Sequence, residues 1–297
     1  MSLIAVGILM PLVSAAAGGA LFPAELISFR PYAANPLFEG GGPGTWDEAI
    51  RERGWILKEG DTYHLWYTGY APGNYSEKHL GYATSSDGIA WTRHPDNPIY
   101  SERWVEDMMV LKQGETYYMF AEGANDEAQL LTSRDRVHWT WEGRLDVRLS
   151  NGTPLPPGPF GTPSVYFEQG TWYLFYERED EAIWLATSND LATWTNVQDE
   201  PVIRRGPELY DRTMIAMNQV IKSGDRYYAY YHATCPENGK DQWTMNIAVS
   251  DDLIHWKKYA GNPVIGANHS SGFLVHDGER YRMYCLHPRM FLFWSSP

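Results

Sequence analysis

Titratable side chains stand in five short segments, each placed just before an apolar run of the kind that forms a strand. We call these segments the lead-ins, and they read "WDEAIRERG", "WVEDMM", "FGTPSV", "LYDRTM" and "ANHSSG". Where carboxyl groups crowd together, at least one keeps its proton near neutrality while another ionises. Such a pair is what acid–base cleavage of a glycosidic bond requires. The candidate catalytic residues in the lead-ins are Asp47, Glu52, Glu106, Asp107, Asp211 and His269.

Other polar and aromatic residues at the same places are candidates for binding a substrate. Some belong to the lead-ins, and others end the second strand of each unit, at the rim where the first strand begins. Those strand-two ends are Thr68, Glu122, Glu177, His232 and His287. Trp46, Trp104 and Phe160 could stack on a sugar ring, whereas aromatic residues inside the runs pack within the fold. The residues predicted to bind substrate are Arg51, Arg53, Trp46, Thr162, Glu177, Arg212 and His232.

A tract of alternating aromatic and aliphatic residues recurs five times and must position these side chains. The copies are "TYHLWYTG", "TYYMFAEG", "TWYLFYER", "RYYAYYHA" and "RYRMYCLH", and successive copies start 54 or 55 residues apart. A turn and an apolar run precede each tract, which predicts a hairpin. A third strand follows, then a Ser/Asp turn, a Trp and an outer strand, which in three copies carries "NP" or "EP".

Four strands in each of five units predict an all-β fold, a five-bladed β-propeller. The fifth unit stops at "FLFWSSP", before its own outer strand. Tyr32–Phe38, which reads "YAANPLF", has the sequence of that strand and is predicted to close the ring from the N-terminal side. Because no linker separates the units, residues 24–297 are predicted to form one domain, and we expect a monomer.

The first 24 residues carry no charge, and "LIAVGILMPLVSAAAGGA" reads as a short apolar core followed by small residues. This pattern predicts a signal peptide over residues 1–20 and a secreted or periplasmic protein. The formal net charge of −13 argues against nucleic acid and against an anionic membrane as partners. A neutral polysaccharide or oligosaccharide fits this charge.

Cysteine and metal chemistry have little support in the sequence. Cys235 and Cys285 are the only cysteines, and they are either two partly buried thiols or one bridge between neighbouring elements. No ligand spacing demands a metal ion, so no cofactor is required. Ca²⁺ could nevertheless lie in the central channel, beside His269 and nearby carboxylates.

The order of hairpin, Ser/Asp turn, Trp and "NP" strand resembles the five-bladed propeller glycosidases of families 43, 32, 117 and 130. As architecture, the resemblance covers nearly all of residues 24–297. The "RER" of Arg51–Arg53 stands where family 43 has an "RDP"-like segment, which implies that Glu52 is the base, with Asp47 as a rival. "NHSSGFLVHDG" is similar to the fifth-blade "GHNS" segment, which implies that His269 lies at the channel centre and is an acid of the family 117 type.

The sequence departs from family 43 in three lead-ins. Thr162 stands where that family has an Asp that modulates pKa. The fourth lead-in has no Glu for the acid, a role in which Asp211 could substitute. Glu106 and Asp107 have no clean counterpart.

These observations predict a secreted, exo-acting and inverting glycoside hydrolase that acts on plant or algal saccharides. The base is Glu52 or Asp47, and the acid is His269, Glu106, Asp107 or Asp211. One alternative is a carbohydrate-binding propeller without catalysis. Another is a glycoside phosphorylase, whose phosphate would be bound by arginines that could equally recognise a carboxylate or sulfate on the sugar. Those arginines are Arg51, Arg53, Arg178 and Arg212.

Overall fold

The computed structural model describes residues 21–73, 77–237 and 240–296. The predicted signal peptide, residues 1–20, lies outside the described residues. In the part that is described, helical structure is confined to Ala24–Ile27 and to a 3₁₀ turn at Leu209–Asp211. No helix of that part is long and apolar enough to span a membrane.

Five antiparallel sheets follow one another along the chain, which confirms the predicted five-bladed propeller. Blade 1 consists of Ala49–Glu59, Thr62–Tyr70, His79–Ser85 and Thr92–Arg93. Blade 2 consists of Glu106–Gln113, Thr116–Gly123, Glu127–Ser133 and Trp139–Arg144. Blade 3 consists of Gly161–Glu168, Thr171–Arg178, Ala182–Ser188 and Trp194–Asn196, with the short extra strands Val147–Arg148 and Ile203–Arg204. Blade 4 consists of Met214–Ser223, Arg226–Glu237, Lys240–Ser250 and Lys257–Lys258.

Blade 5 takes its outer strand from the N-terminal side of the chain. Its own strands are Gly272–His276, Tyr281–Leu286 and Met290–Ser295, and Phe29–Pro31 pairs antiparallel with the last of them. The regular strand therefore begins three residues before the predicted segment. Tyr32–Phe38 continues along the same edge, because the Tyr32 N–H donates to Leu292 O and Phe38 forms a bridge with Met290.

The repeated Trp that follows each Ser/Asp turn packs against the preceding blade. Three of these rings lie edge-to-face on an aromatic ring of the second strand one blade earlier, with centroids about 6 Å apart, the geometry that aromatic pairs favour. The pairs are Trp139 on Trp66 at 6.0 Å, Trp194 on Phe120 at 5.9 Å and Trp256 on Phe175 at 6.0 Å. One aromatic contact per repeat thus joins neighbouring blades.

The Asn of each "NP" segment stands in for a residue of the sheet. Its side-chain amide accepts from the N–H and donates to the C=O of one third-strand residue, at 2.8 to 3.0 Å. The outer segment is thereby fixed to its blade although it contributes only a short regular strand. The pairs are Asn35 with Leu292, Asn97 with Tyr82, and Asn262 with Ile247.

The fifth lead-in contains left-handed residues at Ala267 and Asn268, and four of the lead-ins share one further left-handed position. The φ angles are 52° at Glu52, 45° at Asp107, 44° at Thr162 and 54° at Ser271. In blades 1, 2 and 3 a register shift in the first strand spans or adjoins this residue. Bulges of this kind redirect side chains, and non-glycine residues with positive φ are uncommon. The repeat therefore turns the same position in each of these blades toward the channel.

The two cysteines are not joined by a disulfide. Cys285 is buried, which raises the pKa of its thiol, and Cys235 is half-buried. The interpretation of two thiols is thus confirmed.

Candidate active site

A cavity of about 220 Å³ opens at the rim where the lead-ins meet the ends of the second strands. Blades 1 to 4 all contribute to its wall. Six residues predicted from the sequence line it: Arg51, Glu52, Asp107, Thr162, Glu177 and His232.

Glu52 is the ionised group of this cavity. Its Oε2 accepts a hydrogen bond from His287 Nδ1 at 3.0 Å, and its Oε1 lies 2.5 Å from Arg51 Nε. Burial alone would raise the pKa of Glu52, but the hydrogen bond and charge of His287, together with the Arg51 guanidinium, lower it to about 2. Glu52 is therefore a carboxylate throughout the neutral range.

Four other carboxyl groups in the wall hold protons more tightly than usual, and one of them is Asp180, whose pKa is raised by burial. Burial, and then the charge of Glu52, raise the pKa of Asp107 to about 8, although Asp107 Oδ1 accepts the N–H of Arg53 at 3.1 Å. Burial raises the pKa of Glu177 to about 7. Burial and the neighbouring Asp107 raise the pKa of Glu122 well above its usual value, even though Glu122 Oε2 accepts the N–H of Thr162 at 2.8 Å. Near neutrality the cavity thus combines one carboxylate with carboxyl groups that can give up a proton.

His232 and Trp243 line the wall on the side of blade 4, and His287 of blade 5 contacts Glu52 without lining the cavity. His232 Nδ1 donates to Asn218 Oδ1 at 2.7 Å, and burial lowers the pKa of His232 to about 3, so this imidazole is neutral. Burial opposes a charge on His287, but its hydrogen bond to Glu52 raises its pKa. The half-buried Trp243 ring lies 5.3 Å from His232 and 5.9 Å from His287 and lines the cavity. A sugar ring could stack on its free surface.

Several proteins that are similar to this chain in sequence or fold are named for activity on carbohydrates. Residues 162–276 match the description "Glycosyl hydrolases family 32 N-terminal domain". Over 233 residues, 72% of this chain and 74% of the relative, the sequence is 26% identical to a 1,2-β-oligomannan phosphorylase of Thermoanaerobacter sp.. The resemblance to the five-bladed propeller glycosidases is confirmed.

Solved propeller glycosidases share the fold over nearly their whole length. A glycosyl hydrolase from Bacteroides ovatus matches with a TM-score of 0.71 and 15% identity, over 91% of this chain and 94% of its own. A β-1,2-mannobiose phosphorylase from Listeria innocua matches with a TM-score of 0.67 and 15% identity, over 90% and 96%. The matches thus include both a hydrolase and phosphorylases, so the choice between the two reactions has to come from the site.

Arg53 is not available to a substrate, contrary to the prediction. It is fully buried in the channel, and its five side-chain N–H groups all donate to backbone carbonyls of blades 2, 3 and 4. Burial lowers the pKa of Arg53 to about 10, which leaves it charged. The carbonyl partners belong to Asp107, Met108, Pro163, Met217 and Asn218. Arg53 therefore ties the first strands of the propeller together.

Asp47 and Asp211 face away from the cavity and form two copies of one structural contact. Asp47 Oδ2 accepts from the Tyr67 hydroxyl at 3.0 Å and from Arg93 Nε at 2.9 Å. Asp211 Oδ2 accepts from the Tyr231 hydroxyl at 3.4 Å and from a lysine of its own outer strand, Lys258. Each carboxylate bonds a second-strand tyrosine and an outer-strand cation, so we withdraw both as acid or base.

His269, Arg212 and Trp46 also lie outside the cavity. The His269 ring stands against Phe291 and Phe293, at 4.8 and 5.1 Å, in a groove that the N-terminal segment lines. The residue of this lead-in that corresponds to Glu52 and Asp107 is Ser271, two positions after His269. Arg212 is exposed and donates to Pro207 O at 3.3 Å. Trp46 stacks on Tyr67, with 5.9 Å between the ring centroids.

Glu106 lies behind the wall and not in it. Its Oε2 is 2.6 Å from Lys78 Nζ and 3.5 Å from Arg51 Nε. Burial raises the pKa of Glu106 in spite of these two cations. Glu106 therefore acts on the cavity through Arg51 and through its charge, which helps to raise the pKa of Asp107 and Glu122.

Sequence reasoning missed several residues of the wall. Glu122 and His287 were recognised as strand-two ends but were not assigned to the site. Asp126, Glu179 and Asp180 stand on hairpin tips shortly after Glu122 and Glu177, a position that could have been read from the repeat. Trp243 lies in the third strand of blade 4, for which the sequence carried no signal.

The described residues contain no group of three His, Cys, Asp or Glu side chains placed to hold a metal ion. Ca²⁺ in the channel stays a prediction, and no step below uses it.

Proposed function

We propose that this protein is a glycoside hydrolase that removes terminal sugars from neutral oligosaccharides or polysaccharides. The observation that carries the proposal is the pairing, in one cavity, of the ionised Glu52 with the proton-bearing Asp107. Acid–base cleavage needs both states at the same pH.

Glu52 is the base in this proposal, and Asp107 is the acid. Of the candidate acids, His269 and Asp211 lie outside the cavity and Glu106 is paired with Lys78. Asp107 remains, with one carboxyl oxygen held by the Arg53 N–H. Glu52 would take a proton from water as the water oxygen attacks the anomeric carbon, and Asp107 would give its proton to the departing glycosidic oxygen. Inversion requires the two carboxyl groups to stand about 6.5 to 9.5 Å apart.

The charge of the wall favours water over phosphate as the attacking group. The cavity is lined by seven acidic side chains and one arginine, Arg51, which is already paired with Glu52. Of the other arginines suggested for phosphate, Arg53 and Arg212 lie elsewhere, and Arg178 donates to the carbonyls of Pro156 and Pro159. A phosphate dianion would meet the Glu52 carboxylate, and among the described residues of the wall there is no unpaired cation to bind it. The acidic residues are Glu52, Asp107, Glu122, Asp126, Glu177, Glu179 and Asp180.

The size of the cavity supports exo action. At about 220 Å³ it is smaller than the roughly 300 to 1,000 Å³ of sites that enclose drug-sized ligands, so it suits one terminal sugar ring. Stacking on Trp243 would orient that ring. We propose plant and algal saccharides as substrates. We also propose that the protein is secreted or periplasmic. We add β-1,2-mannosides because two relatives are named for them.

The test is release of reducing sugar from arabinans, xylans, fructans, algal galactans and β-1,2-mannobiose, with and without phosphate. We expect release that does not depend on phosphate, and a loss of at least about a hundredfold in kcat for Glu52→Gln and Asp107→Asn, because each removes one half of the acid–base pair. The matched controls are Glu115→Gln and Asp61→Asn, at exposed positions outside the cavity. Nuclear magnetic resonance of the first-formed anomer reports inversion.

Two outcomes would contradict the proposal. Release that requires phosphate would make the protein a phosphorylase. Binding of a saccharide without release from any member of the panel would make it a carbohydrate-binding propeller.

A further inference from the structure

A row of alternating charges runs behind and along the wall of the cavity. Lys78 Nζ lies 2.6 Å from Glu106 Oε2, which lies 3.5 Å from Arg51 Nε. Arg51 Nε lies 2.5 Å from Glu52 Oε1, and Glu52 Oε2 bonds His287 Nδ1 at 3.0 Å. The row thus connects a lysine of blade 1 to the proposed base and to a histidine of blade 5.

The far end of the row is buried, although charges are costly to bury. The side chains of Lys78 and Glu106 are 3% and 4% exposed, whereas that of Arg51 is 38% exposed. The Lys78 ammonium also lies 3.7 Å from the centre of the Trp104 ring, a cation–π contact. Removal of one partner of a buried ion pair leaves an uncompensated charge, which attracts the nearest group of opposite charge.

Arg51 stands between two carboxylates that compete for it. It contacts Glu52 at 2.5 Å and Glu106 at 3.5 Å. Lys78 is closer to Glu106 than Arg51 is, so it satisfies that carboxylate from the other side. Without Lys78, Glu106 would attract the guanidinium away from Glu52.

We propose that Lys78 is a positioning residue, which occupies Glu106 and so keeps Arg51 on Glu52, where the guanidinium fixes the orientation and charge of that carboxylate. The inference rests on the proposed function in so far as Glu52 is the base. The charged and titratable groups that act on Glu52 are Arg51, Glu106, Asp107, Asp180, His232 and His287. Those that act on Glu106 are Arg51, Glu52, Lys78, Asp107 and Glu122.

The test follows the imidazole titration of His287 by nuclear magnetic resonance, with the signal assigned by its loss in His287→Gln. This readout needs no substrate. In Lys78→Met we expect the pKa of His287 to rise by about half a unit or more, because Arg51, whose charge opposes that of His287, moves toward Glu106. Lys78→Arg should keep the wild-type titration. Lys78→Met combined with Glu106→Gln should keep it too, because no second carboxylate then draws Arg51 away.

Kinetics supply the second readout in the same variants. We expect kcat/KM of Lys78→Met to fall about tenfold at acidic pH, with recovery in Lys78→Arg and in the double variant. An unchanged His287 titration in folded Lys78→Met would overturn the inference. If Lys78→Met does not fold, the double variant decides, because a shifted His287 titration there would mean that Lys78 does not act through Glu106. If the wild-type protein hydrolyses no glycoside, the proposed function is refuted. The His287 titration still tests the inference in that case, because it needs no substrate.

Discussion

The proposed acid and base both adopt a backbone conformation that is uncommon for residues other than glycine. Glu52 and Asp107 both have φ near 50°, a region that non-glycine residues seldom occupy. Such conformations persist only when the surrounding structure enforces them, and they concentrate at functional sites. Here Arg53 enforces the conformation of Asp107, since it bonds both the side chain and the carbonyl of that residue.

The pKa values predict a one-sided pH profile. Glu52, with a pKa of about 2, stays ionised across the workable range, so the profile of kcat/KM should be flat on its acid side. Asp107, with a pKa of about 8, must be protonated to act, so kcat/KM should fall about tenfold per pH unit as the pH rises above about 8. The measurement is kcat/KM from pH 5 to 10. A fall centred near pH 7 would assign the acid to Glu177, whose pKa is about 7.

Sequence reasoning found some of the acidic and basic residues of the site, but it missed others and did not give all of the orientations. The lead-in pattern identified Glu52 and Asp107 because the repeat puts both at the same position. The pattern failed at His269 because the corresponding position of that lead-in is Ser271, two positions later. The prediction of Asp47 as a base was also wrong, because its side chain is held by a tyrosine and an arginine on other strands, which the lead-in does not reveal.

At the scale of the blade, the side-chain amides of the "NP" asparagines make the hydrogen bonds that a backbone residue of an outer strand would make. Asn97 bonds both the N–H and the C=O of Tyr82, at 2.9 Å each, and also the Tyr67 hydroxyl. The repeat was therefore visible in the sequence because each copy needs the same side-chain amide. The bonding itself could not be read from the sequence, since it depends on which residue of the third strand lies opposite.

We expect Asn97→Ala to destabilise the protein by about 1 to 3 kcal/mol, because it leaves buried groups of the third strand without partners. The measurement is chemical denaturation, compared with Asn189→Ala at an exposed position. Activity of the folded variant should persist, since Asn97 lies at the outer edge of blade 1. Equal stability of the two variants would show that water replaces the amide.

At the scale of the molecule, the fold depends on closing the ring. Phe29–Pro31 covers the edge of blade 5, Leu26 just before it is fully buried, and the Tyr230 hydroxyl donates to Leu26 O at 2.7 Å. The 54- to 55-residue repeat predicted this closure because the fifth copy lacked its outer strand. The exact strand was displaced by three residues, since turn residues alone do not set where pairing begins.

Deletion of residues 1–31 should lower the Tm by at least about 5 °C, because it removes a buried leucine and exposes a strand edge. The control is deletion of residues 1–20, which leaves the closing strand in place. Scanning calorimetry gives the Tm, and light scattering reports the aggregation expected of an uncovered edge. Identical melting of the two truncated proteins would refute a role for this strand in stability.

The closing pair also determines how the ring would respond to force. Phe29 lies opposite Ser295, and the Ser28 and Ser296 hydroxyls are 2.9 Å apart, so the chain enters and leaves this pair of strands on the same side. Pulling residues 28 and 296 apart would load the hydrogen bonds one after another, as in a zipper, and not all together. Blade 5 is therefore the mechanically weak point of the ring under such a pull, although its strands are as well paired as those of the other blades.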